Sequence, residues 1–162
     1  GFFAVDINKF ACNASQKTAA ANEVNVEILN MDLLTGFKHN SVDLLIFNPP
    51  YVPTDCETRN DIPEQAKYYD CDAEEGFKGD EKMLIKSWAG GKDGCEIINR
   101  LVENLEDILT PQGTFYLLLI KENKPERIRK RLRVLGFDSV QIIDRKIRGE
   151  HLLVLKIYHL KH

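Results

Sequence analysis

The sequence predicts a doubly wound α/β sheet, parallel except for its final hairpin strand, in a single domain spanning residues 1–162. Three observations carry this. Short apolar runs alternate with stretches of helical periodicity. The runs Phe2–Val5, Val26–Leu29 and Val42–Phe47 lead respectively to Asp6, Asp32 and Asn48, polar residues just past a strand end. Two further runs close the chain, Val140–Ile143 and Leu152–Tyr158, and the short turn between them contains Gly149, as an antiparallel hairpin requires.

Taken in order, Phe2-Phe3-Ala4-Val5 reads as a short buried strand. Asn8 to Ala21 reads as a helix with Phe10, Ala14, Thr18 and Ala21 on one face. Val26–Leu29 is the second strand, and Val42–Phe47 the third, apolar enough to be buried in a parallel sheet. Residues 54–87 break the pattern as an acidic loop or insertion, with ten acidic against four basic residues between Thr54 and Lys82. That composition predicts a stretch mobile at least in part. Asp93 and Glu96 have the spacing of a capping box, opening a helix with Ile97, Leu101, Leu105 and Ile108 inward. Thr110-Pro111-Gln112-Gly113 predicts a turn before the strand Thr114–Ile120. Pro125 opens a last helix with Ile128, Leu132 and Leu135 inward and Gly136 as its stop.

Composition narrows the class. A chain of 162 residues, 43% hydrophobic and 29% charged, has the make-up of an ordinary globular domain. It has no apolar run of bilayer-crossing length and no signal-peptide pattern at its start. The net charge of −3 argues against a general nucleic-acid surface. Cys12, Cys56, Cys71 and Cys95 form no C-x-x-C pair, so free thiols in a reducing compartment are expected: the cytoplasm, with the nucleus as a second location. His39, His151, His159 and His162 are scattered, and no metal site is expected. Arg127, Arg129, Lys130, Arg131 and Arg133 make a basic helix face, read as solvated.

In doubly wound sheets ligands bind beyond the carboxyl ends of the strands, so Asp6, Asp32 and Asn48 are expected along one rim. Residues Asn48-Pro49-Pro50-Tyr51 carry the chemistry. An amide or aromatic amine is a poor nucleophile because its nitrogen lone pair is delocalised. Two acceptors gripping its two N–H groups, the Asn48 side-chain oxygen and the Pro49 carbonyl, can turn that lone pair toward an electrophile. Both prolines lack an N–H and restrict the residue before them, which stiffens the loop. The face of Tyr51 can lie against a planar target.

The chain resembles the HemK-like glutamine methyltransferases of the class I fold, in the eukaryotic release-factor branch. The matching segments are Val5-Asp6-Ile7-Asn8, Asp32-Leu33, Asp43 through Val52, Trp88-Ala89-Gly90-Gly91-Lys92-Asp93-Gly94, Phe115-Tyr116-Leu117 and Ile120-Lys121-Glu122-Asn123. The resemblance implies S-adenosylmethionine as cofactor. It implies that Asp6, beside Ile7, takes the ribose hydroxyls, and that Asp32 and the Leu33 backbone meet the adenine. It also places Asn48 at the junction of cofactor and substrate, with Asn48, Pro49, Pro50 and Tyr51 forming the catalytic loop. The implied substrate is the glutamine of the Gly-Gly-Gln motif in a peptide-chain release factor. The implied partner is a small zinc-containing activator subunit in a heterodimer; no membrane association is implied. The family's first strand and its Gly-rich loop find no counterpart in residues 1–30, so a piece of a longer protein is expected. Two other readings remain open: transfer to a histone lysine or DNA adenine, and a non-catalytic binding module lacking the cofactor loop.

Overall fold

The computed structural model describes residues 1–54 and 86–160; most of the acidic stretch 54–87 lies outside them. The described residues fall into two compact units, residues 1–38 and 39–162.

The first unit is a βαβ hairpin of the parallel kind: β1 (Phe3–Asp6), α1 (Lys9–Ala21) and β2 (Glu27–Asn30). The two strands run parallel in register from Phe3 opposite Glu27 to Asp6 opposite Asn30. Asn8 caps α1, its side chain accepting the Phe10 N–H at 2.9 Å. Cys12 and Leu34 are its buried residues, and Phe3 meets Phe37 edge to face at 5.6 Å. Two expectations are corrected here. β1 is not a buried strand, since Phe2 and Phe3 are 78% and 47% exposed. Burial on both faces needs a layer on each, and in this unit the sheet has two strands and one helix. Nor does α1 turn Phe10 inward: Phe10 is exposed and Cys12 is the buried position, its thiol directed to the Asp6 and Leu29 carbonyls.

The second unit holds a four-stranded sheet in the order β3-β4-β6-β5. Its strands are β3 (Val42–Phe47), β4 (Leu109–Ile120), β5 (Phe137–Ile147) and β6 (Glu150–His159). β3 is parallel to β4, and β6 is antiparallel to both β4 and β5, so the predicted hairpin is present and longer than its apolar run. Phe115, Leu117 and Leu119 of β4 and Leu153, Leu155 and Ile157 of β6 alternate into the core. The predicted turn at residues 110–113 lies inside β4: Val42 pairs with Leu109 but Leu44 with Thr114, so the intervening residues bulge from the ladder.

Among the described residues this unit also holds three α-helices: α2 (Glu96–Glu103), α3 (Leu105–Ile108) and α4 (Pro125–Val134). The predicted capping box is absent, because α2 begins after Cys95 without a side-chain cap and the Asp93 carboxylate serves other partners. The inward face of α2 is Ile98, Leu101 and Val102, with Ile97 only partly covered. α4 buries Ile128 and Leu132, leaves Leu135 half-buried, and ends at Gly136 with φ 85°. Its basic residues are largely paired: Arg127 with Asp93, Arg129 with Glu126, Arg131 with Glu103 and Arg133 with Asp138.

β3 departs most from expectation. It pairs with β4 alone among the described strands, and Leu44 and Ile46 are 56% and 73% exposed. β1 likewise pairs, among the described strands, with β2 alone. The described strands form two sheets, β1-β2 and β3-β4-β6-β5.

Candidate active site

At the carboxyl end of β3 the chain enters Asn48-Pro49-Pro50-Tyr51. Asn48 is exposed and its side chain makes no hydrogen bond to any described residue, whereas Pro49 is buried and Pro50 and Tyr51 half-buried. The loop is therefore anchored through its prolines and presents the asparagine amide outward. Burial raises the Tyr51 phenol above its ordinary value, and the Glu150 carboxylate adds to this, so the ring is neutral at physiological pH.

Backbone pairing holds the loop from one side. Val52 forms an isolated parallel bridge with Ala89; its N–H donates to Trp88 O at 3.0 Å and its carbonyl accepts the Gly90 N–H at 2.8 Å. The Thr54 N–H donates to Gly91 O at 3.1 Å, and the Gly91 N–H to Thr54 Oγ1 at 3.0 Å. The Trp88-to-Gly94 segment is thus a cradle for the loop. It must be glycine-rich because the backbones nearly touch: a Cβ on Gly90 would stand 2.5 Å from Pro50 O, and one on Gly94 would collide with Tyr51 O.

From the other side comes a residue to which sequence reasoning gave no role. Asn123 is 1% exposed, at the end of a short 3₁₀ turn (Lys121–Asn123) after β4. Its Oδ1 accepts the Ile120 N–H at 2.8 Å; its Nδ2 donates to Tyr51 O at 2.8 Å, Asp93 O at 2.9 Å and Gly94 O at 3.3 Å. The Cys95 thiol donates to Asn123 O at 3.3 Å. Asp93, at φ 55°, directs its carboxylate to Lys124 Nζ at 2.5 Å and Arg127 at 3.5 Å. The available signal was the Lys-Glu-Asn-Lys-Pro run closing an apolar strand, since a buried asparagine is costly unless fully bonded.

The first unit places Asp6 and Asp32 together at one end of its parallel pair, Asp6 closing β1 and Asp32 two residues past β2. Asp6 is exposed; its Oδ1 accepts the Asn8 N–H at 2.7 Å, which leaves Oδ2 for another donor. Ile7 is 56% exposed. Asp32 is half-buried and engaged in a polar interaction, and Leu33 beside it has φ 49°, a left-handed conformation that is strained for leucine.

Residues 2–67 match the family model "Methyltransferase small domain". Methyltransferase HEMK2 of Homo sapiens is 36% identical over 158 residues, which are 96% of this chain and 64% of that protein. The eRF1 methyltransferase catalytic subunit mtq2 of Schizosaccharomyces pombe is 34% identical over 166 residues, again covering 64% of its length. Among solved structures, the Mtq2-Trm112 complex of E. cuniculi gives a TM-score of 0.60 at 23% identity, over 98% of this chain and 84% of that one. A methyltransferase from Pyrococcus furiosus gives 0.61 at 18% identity, over 98% of this chain and 62% of that one. The fold is that of the class I methyltransferases. The chain is similar to the human and Schizosaccharomyces pombe methyltransferases and spans 64% of their length.

Proposed function

We propose that residues 1–162 are a methyltransferase domain, interrupted by the acidic insertion 54–87, of an S-adenosylmethionine-dependent protein-glutamine N-methyltransferase. Its substrate is the glutamine of the Gly-Gly-Gln motif in a peptide-chain release factor. One observation supports this above the rest: the Asn48 amide is exposed and unengaged by described residues, on a loop whose backbone is fastened on both sides. A gripping group needs that combination, rigid in position and free in valence.

The Asn48 side-chain oxygen accepts one N–H of the substrate amide and the Pro49 carbonyl accepts the other. Held between them, the amide nitrogen has its lone pair turned out of conjugation, and Tyr51 packs on the amide plane. S-adenosylmethionine would supply the methyl group from its sulfonium, leaving as the neutral thioether, and the substrate nitrogen would give up its proton to solvent. Asp6 Oδ2 is open to a ribose hydroxyl, and the backbone at Leu33 is held in the strained form associated with ligand contact, so the residues present fit the cofactor's nucleoside. The names of the relatives support the release factor as substrate, and the solved relative's complex with Trm112 supports a heterodimer with a small activator, which we take to contain zinc. An exposed sheet edge is the proposed docking element, and the cytoplasm, with the nucleus second, the proposed location.

The test offers the full-length protein with its activator a release factor, a histone and a DNA duplex side by side, with radiolabelled cofactor. Label is expected on the release factor alone, at the Gly-Gly-Gln glutamine. Label confined to histone or DNA overturns the substrate, and none on any acceptor favours a binding module.

A further inference from the structure

We propose that Asn123 is a positioning residue for methyl transfer: its side-chain amide pins the Tyr51 carbonyl and thereby sets the two acceptors of the Asn48–Pro49 grip. The inference rests on the activity proposed above. It deepens that reading by naming what fixes the geometry.

Asn123 satisfies every condition for a pin. It is buried to 1% exposure, and both ends of its amide are used, so it has no freedom to rotate. Its Oδ1 is tied to the end of β4, the rigid centre of the second unit's sheet, through the Ile120 N–H. Its Nδ2 reaches the carbonyls of Tyr51, Asp93 and Gly94 together. Two N–H groups therefore serve three acceptors, all converging where the loop lies on the glycine turn. The Gly94 position admits no Cβ, so the loop backbone lies directly against the turn. Without Nδ2, the Tyr51 and Gly94 carbonyls would lose this donor, while the Asp93 carbonyl would keep only the Cys95 thiol at 3.2 Å. The loop would lift away from the turn. Tyr51 O is three residues from the Asn48 amide across two prolines, so displacement at the pin is transmitted to the grip rather than absorbed.

Two variants separate this role from a merely structural one. Asn123→Ala removes the donor and the acceptor. Asn123→Asp keeps the shape and the acceptor for Ile120; when ionised it offers the three carbonyls no donor, and when protonated it offers one O–H. A buried carboxyl facing carbonyl oxygens favours its protonated form. In the full-length protein with its activator and release factor, Asn123→Ala is expected to lower kcat per folded molecule by roughly 10- to 100-fold, with cofactor affinity changed less than about threefold. Asn123→Asp is expected to be impaired at pH 8 and, relative to wild type, to recover part of that loss as the pH falls toward 6, a dependence that Asn123→Ala lacks. Asn123→Ala turnover within about twofold of wild type per folded molecule overturns the proposal. So does loss of cofactor affinity in step with kcat in both variants at every pH. If wild type itself labels no acceptor, the activity reading fails and the pin with it; that outcome differs visibly from an active wild type with an equally active variant.

Discussion

Gly94 and Gly136 both have positive φ, at 65° and 85°, yet their surroundings differ completely. A Cβ on Gly94 would strike the Tyr51 carbonyl, whereas one on Gly136 meets nothing within 4 Å. Gly136→Ala should therefore cost only the backbone strain, about 1 kcal/mol, and Gly94→Ala should cost more than about 3 kcal/mol in denaturant titration. Equal costs would show that the cradle does not press on the loop. Cys95 gives a second residue-scale prediction. Burial, and then the Asp93 carboxylate, push its thiol up to about 11, with Arg127 and Lys124 opposing. A folded value above the unfolded 9.0 means that the protein holds this proton more tightly than the open chain does. The resulting stability is complete below about pH 9 and is lost as the pH climbs through 11, by roughly 1–3 kcal/mol. Denaturant midpoints of wild type should fall across that window more steeply than those of Cys95→Ser; parallel curves would contradict the assignment.

At the scale of elements, local chemistry was legible where it acts locally. The Pro125 start and Gly136 stop fix α4, and the Gly149 turn fixes the hairpin, because propensity and backbone freedom decide both. The errors arise where a distant partner decides. Asp93 and Glu96 have capping-box spacing, but Lys124 and Arg127, thirty-one and thirty-four residues away, take the Asp93 carboxylate. The face drawn through Ile97, Leu101, Leu105 and Ile108 assumed one continuous helix. The chain breaks at Asn104, whose side chain bonds back to Arg100 O at 2.8 Å, and α2 turns Ile98 and Val102 inward. Thr110 to Gly113 has the composition of a turn and forms a bulge, two outcomes that single-chain composition does not separate. Leu105, fully buried at the head of α3, reports on this packing: Leu105→Ala should cost about 2–5 kcal/mol in denaturant titration. A cost below about 1 kcal/mol would mean that the two short helices are not part of the core.

Across the whole molecule, the candidate loop was legible in the sequence because the chemistry proposed for Asn-Pro-Pro-Tyr lies in four adjacent residues. It did not reveal the pin, because Asn123 lies seventy-two residues from the carbonyl it holds and a lone asparagine has no periodicity to betray it. Strand burial was overestimated for β1 and β3 for a related reason. Apolar runs report what a strand can bury, while its neighbours decide what it does bury, and each of these two has a single described partner. Asn48 is proposed as one half of a fixed pair of acceptors, and one paired measurement on the full-length protein with its activator reaches that role most directly. Turnover on release factor and calorimetric cofactor affinity are compared for wild type and Asn48→Ala. The predicted result is a fall in kcat of at least about 1,000-fold with cofactor affinity held within a few-fold, since the lost interaction belongs to the reacting amide. Turnover that survives the substitution would contradict the account.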